Sequence, residues 1–356
     1  MRSILFTMIF SNKLITWYLE NKRFLPWRET KNPYAIWLSE IILQQTRVAQ
    51  GLPYFEAFLT SYPTVKDLAD APEDDVMRLW QGLGYYSRAR NLHATAKKVA
   101  YELNGVFPTN YKELLTLKGV GEYTAAAIAS IAYDEVVPVV DGNVFRVLSR
   151  VYGITSDIST NTTKKEFQAL AATLIPQHDP ATFNQAIMDF GAIQCTPKSP
   201  DCPSCPFIKE CVAYQTNQVA VLPIKLSKIK VKKRYLDFII LIDKDGNTHI
   251  EQRTAKDIWQ QLYQFPVFDS FTHHVEDINS ALRERYDTLY IKEIKELTTD
   301  IITHQLSHQK LHIKFWCVQI EATPSVQTRW KDLNKFGFPI VIHNFITSLD
   351  LKTLIS

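Results

Sequence analysis

No stretch of this 356-residue chain is apolar for long enough to cross a bilayer: the N-terminal run MRSILFTMIF is too short, and no small-residue cleavage site follows it. A membrane anchor is therefore not expected, and a cytoplasmic, monomeric protein is. Charge of one sign is scarce as well, because 40 basic and 37 acidic residues leave a formal net charge of +3. So mild an excess does not by itself argue for a polyanionic partner, and any basic footprint has to be local. Lys118, Arg146, Arg150, Lys198 and the run from Lys228 to Arg234 are the candidates, although a charge run is more often a solvated face or a linker. What the chain does have is 46% hydrophobic residues, enough over this length to bury about two domain cores.

The most informative stretch runs from Leu114 to Val151. Apolar Leu114, Leu115 and Leu117 precede Lys118-Gly119-Val120-Gly121, and an alanine-rich run from Thr124 to Ala132 follows. The pattern predicts a helix, a tight glycine turn and a second helix. Gly119 and Gly121 permit positive φ and close backbone approach, so the turn amides and the second helix's N-terminus can face an anion, of which a nucleic-acid phosphate is the natural candidate. The same turn also occurs between helices for purely structural reasons. Val136 to Val140 then reads as a buried apolar segment, broken by Asp141-Gly142-Asn143. Val144, Val147, Leu148 and Val151 recur at helical spacing, so a helix starts there and Asp141 is placed as its N-cap.

Glu40 gives Asp141 a second reading. It stands among Ile36, Trp37, Leu38, Ile41, Ile42 and Leu43, which predicts a desolvated carboxyl with a raised pKa. Asp141, among amide donors at a helix N-terminus, is expected to stay ionised. Two carboxylates pushed apart in this way fit a general acid and an anion that stabilises or traps an oxocarbenium-like sugar. The plainer alternative makes Glu40 a partner for Arg47 or another base.

Helical spacing persists from Leu14 to about Tyr214, which predicts an all-helical module of many short helices. Within it, GLGYYSRAR (82–90) supplies aromatics and arginines that suit either base stacking or a core. Four of the five cysteines, Cys195, Cys202, Cys205 and Cys211, form a C-x6-C-x2-C-x5-C window. Disulfides do not suit a cytoplasmic chain, and structural zinc usually uses two short pairs where only one is present. An iron-sulfur cluster held by four thiolates fits. Residues 217–233 read as a linker, and residues 234–356 as a second, mixed α/β domain with strands at Tyr235–Ile242 and Leu311–Ile320. Cys317, in the second of these strands, reads as an inert core residue.

Six motifs in order, LPWRETKNPYAIWLSEIILQQTRV, GLGYYSRARNLHATA, LKGVGEYTAAAI, VDGNVFRVLSR, FNQAIMDFGA and the cysteine window, resemble the adenine DNA glycosylases of the MutY type, within the helix-hairpin-helix superfamily. The resemblance covers roughly residues 20 to 215 and implies a helical glycosylase domain over residues 1–216. It implies that Glu40 protonates adenine and that Asp141 faces the sugar, with Tyr123 and Asn143 as catalytic support. It assigns Trp27 and Arg28 to the adenine pocket, Gln45 and Tyr85 to groups inserted in the duplex, Gln185 to substrate binding, and Lys118, Gly119, Gly121 and Lys198 to the DNA backbone. The cysteine spacing is that of the 4Fe-4S cluster loop in MutY and endonuclease III relatives, with a structural role.

The second domain resembles the MutT-like, Nudix-fold domain of the same family through IWQQLYQFP and its strand order. No acidic hydrolase box of the REx2EE kind is present, since Arg283-Glu284-Arg285 lacks the spaced carboxylates, so pyrophosphatase activity is not expected. Relatives read 8-oxoguanine with a Phe-Ser-His loop, and Leu306-Ser307-His308 stands in the matching place, with a departure at Leu306. The implied activity is monofunctional removal of adenine mispaired with 8-oxoguanine or guanine in double-stranded DNA. An endonuclease III-like glycosylase with abasic lyase activity is the rival, opposed by Tyr123 where such enzymes carry a lysine. A catalytically inactive DNA-binding sensor is a second rival, opposed by the presence of both carboxylates.

Overall fold

A computed structural model describes residues 2–226, 230–269, 274–286, 289–321 and 328–355. Lys228, the first residue of the basic run, lies outside the described residues. The chain divides into two compact units, Met1–Asp70 with Asn91–Ser227, and Ala71–Arg90 with Lys228–Ser356.

The described residues of the first unit are helical with connecting turns, as the 3.6-residue spacing predicts. Its centre is the helix Glu122–Tyr133, whose side chains from Thr124 to Ile131 are all buried. The four buried alanines on that helix carry little bulk, so the helices Pro33–Leu43 and Pro180–Asp189 both pack against it. Pro33–Leu43 starts where Asn32 accepts a hydrogen bond from the Tyr34 amide at 2.9 Å and Pro33 occupies the first turn. Trp37, Leu38 and Ile42 on this helix are fully buried, so each of its faces meets protein.

The expected glycine turn joins a short helix, Tyr111–Leu114, to Glu122–Tyr133. Gly119 has φ +80, which a β-carbon disfavours, and a β-carbon there would lie 2.7 Å from that of Asn91. Thr95, itself buried, donates from Oγ1 to the Lys118 carbonyl at 2.8 Å and fixes the turn from beneath. After Glu122–Tyr133 the chain runs extended into Asp141. The apolar segment expected from Val136 to Val140 is buried only at residues 137–139, and Val136 is exposed. Fully buried Asn184 clamps it, donating to the Val137 carbonyl at 2.9 Å and accepting from the Val139 amide at 3.1 Å.

The second unit is mixed α/β, as its alternation predicts. Its sheet is built on the parallel pair Lys232–Ile242 and Gln309–Ile320, in register from Lys232 opposite Gln309 to Ile242 opposite Gln319. The helix Val275–Arg285 covers one face, setting Ile278 and Leu282 against Ile239, Leu241, Trp316 and Val318. On Ile340–Ser348, the Phe345 ring stacks on Phe315. Residues 238–242 form a continuous apolar run, as a buried parallel strand should, while Leu311, Ile313 and Phe315 alternate with polar residues, so both strands read clearly in the sequence. Cys317 is buried within it. The antiparallel strand Ile302–Gln305 turns tightly into Gln309–Ile320, leaving Leu306, Ser307 and His308 at the tip.

The Gly119→Ala variant is expected to lose about 1–3 kcal/mol of unfolding free energy, from positive φ and the clash with Asn91. Urea denaturation checks this, and an unchanged midpoint would remove the strain argument.

Candidate active site

A cleft of about 800 Å³ opens in the helical unit. Eight of the site residues that the resemblance implies line it: Trp27, Arg28, Glu40, Gln45, Tyr123, Asp141, Asn143 and Gln185. They come from separate parts of the chain and meet because Pro33–Leu43 and Pro180–Asp189 pack on the alanine-rich helix, while Asn184 delivers Asp141 to its rim.

Glu40 is 8% exposed. Burial pushes its pKa up to about 7; a hydrogen bond with Tyr123 and the charge of Arg28 oppose the rise, and the nearby Asp141 carboxylate adds to it. Asp141 is both the N-cap of Gly142–Tyr152 and part of the cleft. It accepts from the Asn143 amide at 2.9 Å and the Val144 amide at 2.8 Å, and from Asn143 Nδ2 at 2.8 Å. Burial raises Asp141 above the ordinary carboxylate value all the same, with the donors from Val144 and Asn143 pulling it back. The expected pull of the helix N-terminus is therefore present but outweighed. Tyr123, half-buried between the carboxylates, has a strongly raised pKa because of burial and of Glu40 beside it, so its hydroxyl keeps its proton.

Three further groups, Asp189, Arg23 and Tyr18, are not evident from the sequence pattern. Asp189 is fully buried and takes Arg28 bidentately, Nη1 at 2.6 Å and Nη2 at 2.8 Å, with Arg23 Nε at 2.9 Å on the same carboxylate. Burial raises Asp189, but the two guanidiniums more than offset it and hold the carboxyl below the ordinary range. Arg28 is thus fixed in place before any ligand arrives. Gln185 is held likewise, accepting from the Tyr18 hydroxyl at 2.6 Å. The available signal was a lone carboxylate in the otherwise apolar IMDFGA.

Arg146 and Arg150 are not part of a surface footprint. Their side chains are buried because they bond backbone carbonyls. Arg146 donates to Cys195 O at 2.8 Å, Gly191 O at 2.6 Å and Asn143 Oδ1 at 2.8 Å. Arg150 donates to Thr196 O at 2.7 Å, Pro197 O at 3.2 Å and Cys195 Sγ at 3.4 Å. Of the basic run, Arg234 is neutralised by Asp257 at 2.6 Å and Asp269 at 2.5 Å. Lys118 and Lys198 remain exposed.

Cys195, Cys202, Cys205 and Cys211 line one small cavity with Phe190, Phe207 and Ile208. Burial pushes the Cys205 thiol up to about 12, while the Phe207 amide donates to its sulfur; amides of Tyr214 and Ala213 do the same for Cys211. Among the described residues no three His, Cys, Asp or Glu side chains gather as a site for a single metal ion. Four thiols lining one small cavity, with Arg150 Nη1 donating to Cys195 Sγ, suit a polynuclear iron-sulfur group.

Tyr85, Leu306, Ser307 and His308 belong to the second unit and line a different cleft, of about 370 Å³. Ser307 Oγ and His308 Nδ1 are 3.0 Å apart at the loop tip. Gln45 and Tyr85 both have positive φ, +57 and +46, a backbone state that persists only when the surroundings impose it.

Residues 38–173 match the HhH-GPD superfamily of base excision DNA repair proteins, and residues 238–348 match the NUDIX domain. The adenine DNA glycosylase of Buchnera aphidicola subsp. Schizaphis graminum is 36% identical over 306 residues, covering 86% of each chain. The chain belongs to the adenine DNA glycosylase family. The human adenine DNA glycosylase is 45% identical over 215 residues, which cover 58% of this chain and 39% of the human one. Among solved structures, a thermostable thymine-DNA glycosylase superposes with a TM-score of 0.55 at 32% identity, over 59% of this chain and 97% of that one. A non-covalent endonuclease III–DNA complex, at 21% identity and a TM-score of 0.52, shares the fold. The helical module and following Nudix domain are thus those of the adenine DNA glycosylase family, and no described helix is long and apolar enough to cross a membrane.

Because Glu40 titrates near 7 when folded against an ordinary 4.5, the native state binds the extra proton and stability falls as pH rises from about 4.5 to 7. The full penalty, about 3 kcal/mol, applies above pH 7. Glu40→Gln is therefore expected to be more stable than the parent at pH 8 and to lose that advantage near pH 5. Denaturation at the two pH values checks this, and a pH-independent difference would contradict it.

Proposed function

We propose that the protein removes adenine mispaired with 8-oxoguanine or guanine from duplex DNA by hydrolysing its N-glycosidic bond. The observation carrying this reading is that Glu40, with a pKa near 7, and Asp141 line one cleft, which supports an acid and an anion working on the same nucleotide. Adenine has to leave the stack to be reached. Gln45 and Tyr85 hold the duplex open while the base enters beside Trp27, Gln185 and the pre-oriented Arg28. Glu40 protonates the purine at N7 and makes it a better leaving group. As the bond breaks, Asp141 stabilises the positive sugar electrostatically or traps it covalently before water completes hydrolysis, with Asn143 orienting Asp141 and Tyr123 orienting Glu40.

Exposed Lys118 and the turn amides at Gly119 and Gly121 grip one stretch of backbone, and Lys198 another. Cys195, Cys202, Cys205 and Cys211 would hold one 4Fe-4S cluster, which when bound cross-links the loop that carries Lys198. In the second domain, proposed as residues 234–356, Ser307 and His308 read the opposite base through hydrogen bonds, while Leu306 offers only packing. A lyase reading has less support. Tyr123 stands where the amine nucleophile is expected, and none of the residues lining the cleft is a lysine.

Incubation with an 8-oxoguanine:adenine duplex is expected to release adenine and leave an abasic strand that breaks only on alkali treatment. Glu40→Gln and Asp141→Asn should abolish or cripple single-turnover release while still binding DNA; near-parental release by either overturns the assignment. Ser307→Ala with His308→Ala should cut the preference for 8-oxoguanine:adenine over guanine:adenine by about 1–3 kcal/mol. A full preference in that double variant would move the reader into the helical module. Anaerobically purified protein is expected to carry about four irons, and stoichiometric zinc without iron would remove the cluster.

A further inference from the structure

The helix Pro180–Asp189 contributes a group to the cleft that the proposed reaction does not use. Met188 lines the cleft, and its thioether sulfur accepts a hydrogen bond from the Tyr123 hydroxyl at 3.1 Å. Glu40 lines the same cleft, and its charge acts on that hydroxyl. A tyrosine hydroxyl carries one hydrogen, so it can donate to only one of these two neighbours at a time.

Which neighbour receives that hydrogen depends on Glu40. When Glu40 is ionised it is by far the stronger acceptor, and the Tyr123 hydrogen points to it. When Glu40 is protonated, its own O–H can donate to the Tyr123 oxygen, provided the Tyr123 hydrogen has somewhere else to go. Methionine sulfur is a weak acceptor, but here it is the neighbour in position. The other charged groups facing the pair are Asp141 from the start of Gly142–Tyr152 and Arg28 from the turn Pro26–Arg28. On the methionine's own helix, Asp189 is committed to Arg28 and Arg23, and Gln185 to Tyr18.

We propose that Met188 is a positioning residue whose sulfur receives the Tyr123 hydroxyl hydrogen while Glu40 holds its proton, and gives it up once Glu40 has passed that proton to the base. The inference rests on the function proposed above. No covalent bond of Tyr123 or Met188 changes. The proton moves from Glu40 to adenine, the Tyr123 O–H rotates from sulfur to the new carboxylate, and the thioether is left as it was. Met188 thus stabilises the acid form of Glu40 before the reaction, and Tyr123 stabilises the carboxylate after it.

The test uses the full-length protein with Met188→Leu, which conserves volume but has no acceptor, and Met188→Gln, which restores one at similar reach. Single-turnover adenine release is followed from pH 5 to 9, together with affinity for a duplex carrying an uncleavable tetrahydrofuran site. The Leu variant is expected to shift the alkaline limb down by about half a pH unit, so that release is roughly threefold slower at pH 8 and close to parental near pH 5.5. Duplex affinity should not change, and the Gln variant should keep the parental limb. A Leu profile that overlays the parent overturns the proposal. So does an equal, pH-independent loss in both variants, which would mean a packing role. A carbon-13 carboxyl titration of Glu40 without DNA separates this inference from the glycosylase reading. If the parent releases no adenine, that reading fails, yet a lower Glu40 midpoint in the Leu variant still supports the role of Met188 and an unchanged midpoint still refutes it.

Discussion

Burying two carboxylates in one cleft is the constraint on which the helical unit depends. Each charged group loses hydration on burial, so the protein must either supply donors or leave a proton on it. It does one for each carboxylate. Asp141 receives two backbone amides and the Asn143 side chain, whereas Glu40 receives an apolar helix, a single tyrosine hydroxyl and a pKa near 7. The difference in their surroundings is made by ordinary secondary structure, a helix N-terminus in one case and the middle of a buried helix in the other.

The supporting residues follow from that requirement. Arg146 holds Asn143 against Asp141 and ties both to the backbone of Cys195. Gly191 lies so close that a β-carbon there would sit 2.6 Å from that of Asn143. Asp189 performs the matching task for Arg28. These buried polar contacts specify one arrangement of the cleft more than they stabilise the fold, since isolated buried ion pairs often contribute little net stability. The elevated Glu40 is a cost in stability for which the proposed acid role accounts, because a carboxyl near 7 can both hold and give a proton at neutral pH.

Much of this was legible in the sequence, and the reasons are particular. The helix-turn-helix around Gly119, the N-cap at Asp141 and the apolar flanks of Glu40 are local patterns, and local patterns fix local structure. The parallel strands were legible because one carries a continuous apolar run at residues 238–242 and the other alternates Leu311, Ile313 and Phe315 with polar residues. What stayed hidden depends on which distant segments meet. Arg146 and Arg150 read as surface charge because nothing in their own helix reveals the carbonyls of residues 191–197 that they serve. Asp189 and Met188 gained meaning only when Arg28 and Tyr123, some 160 and 65 residues away in the chain, were found beside them. The family resemblance supplied roles that spacing alone left open, among them Asp141 as cap or as reacting group; the structure shows the cap and places Asp141 in the cleft, and the reacting role is the one proposed.

The central claim is that Asp141 is an anion held ready for a positive sugar. The most direct measurement compares the affinity of the parent and of Asp141→Asn for two duplexes, one with a cationic pyrrolidine in place of the sugar and one with neutral tetrahydrofuran. The account predicts that the parent prefers the cationic analogue by at least about tenfold, as a site matched to a developing charge should, and that the Asn variant loses this preference. Equal affinity of the parent for the two analogues would contradict it.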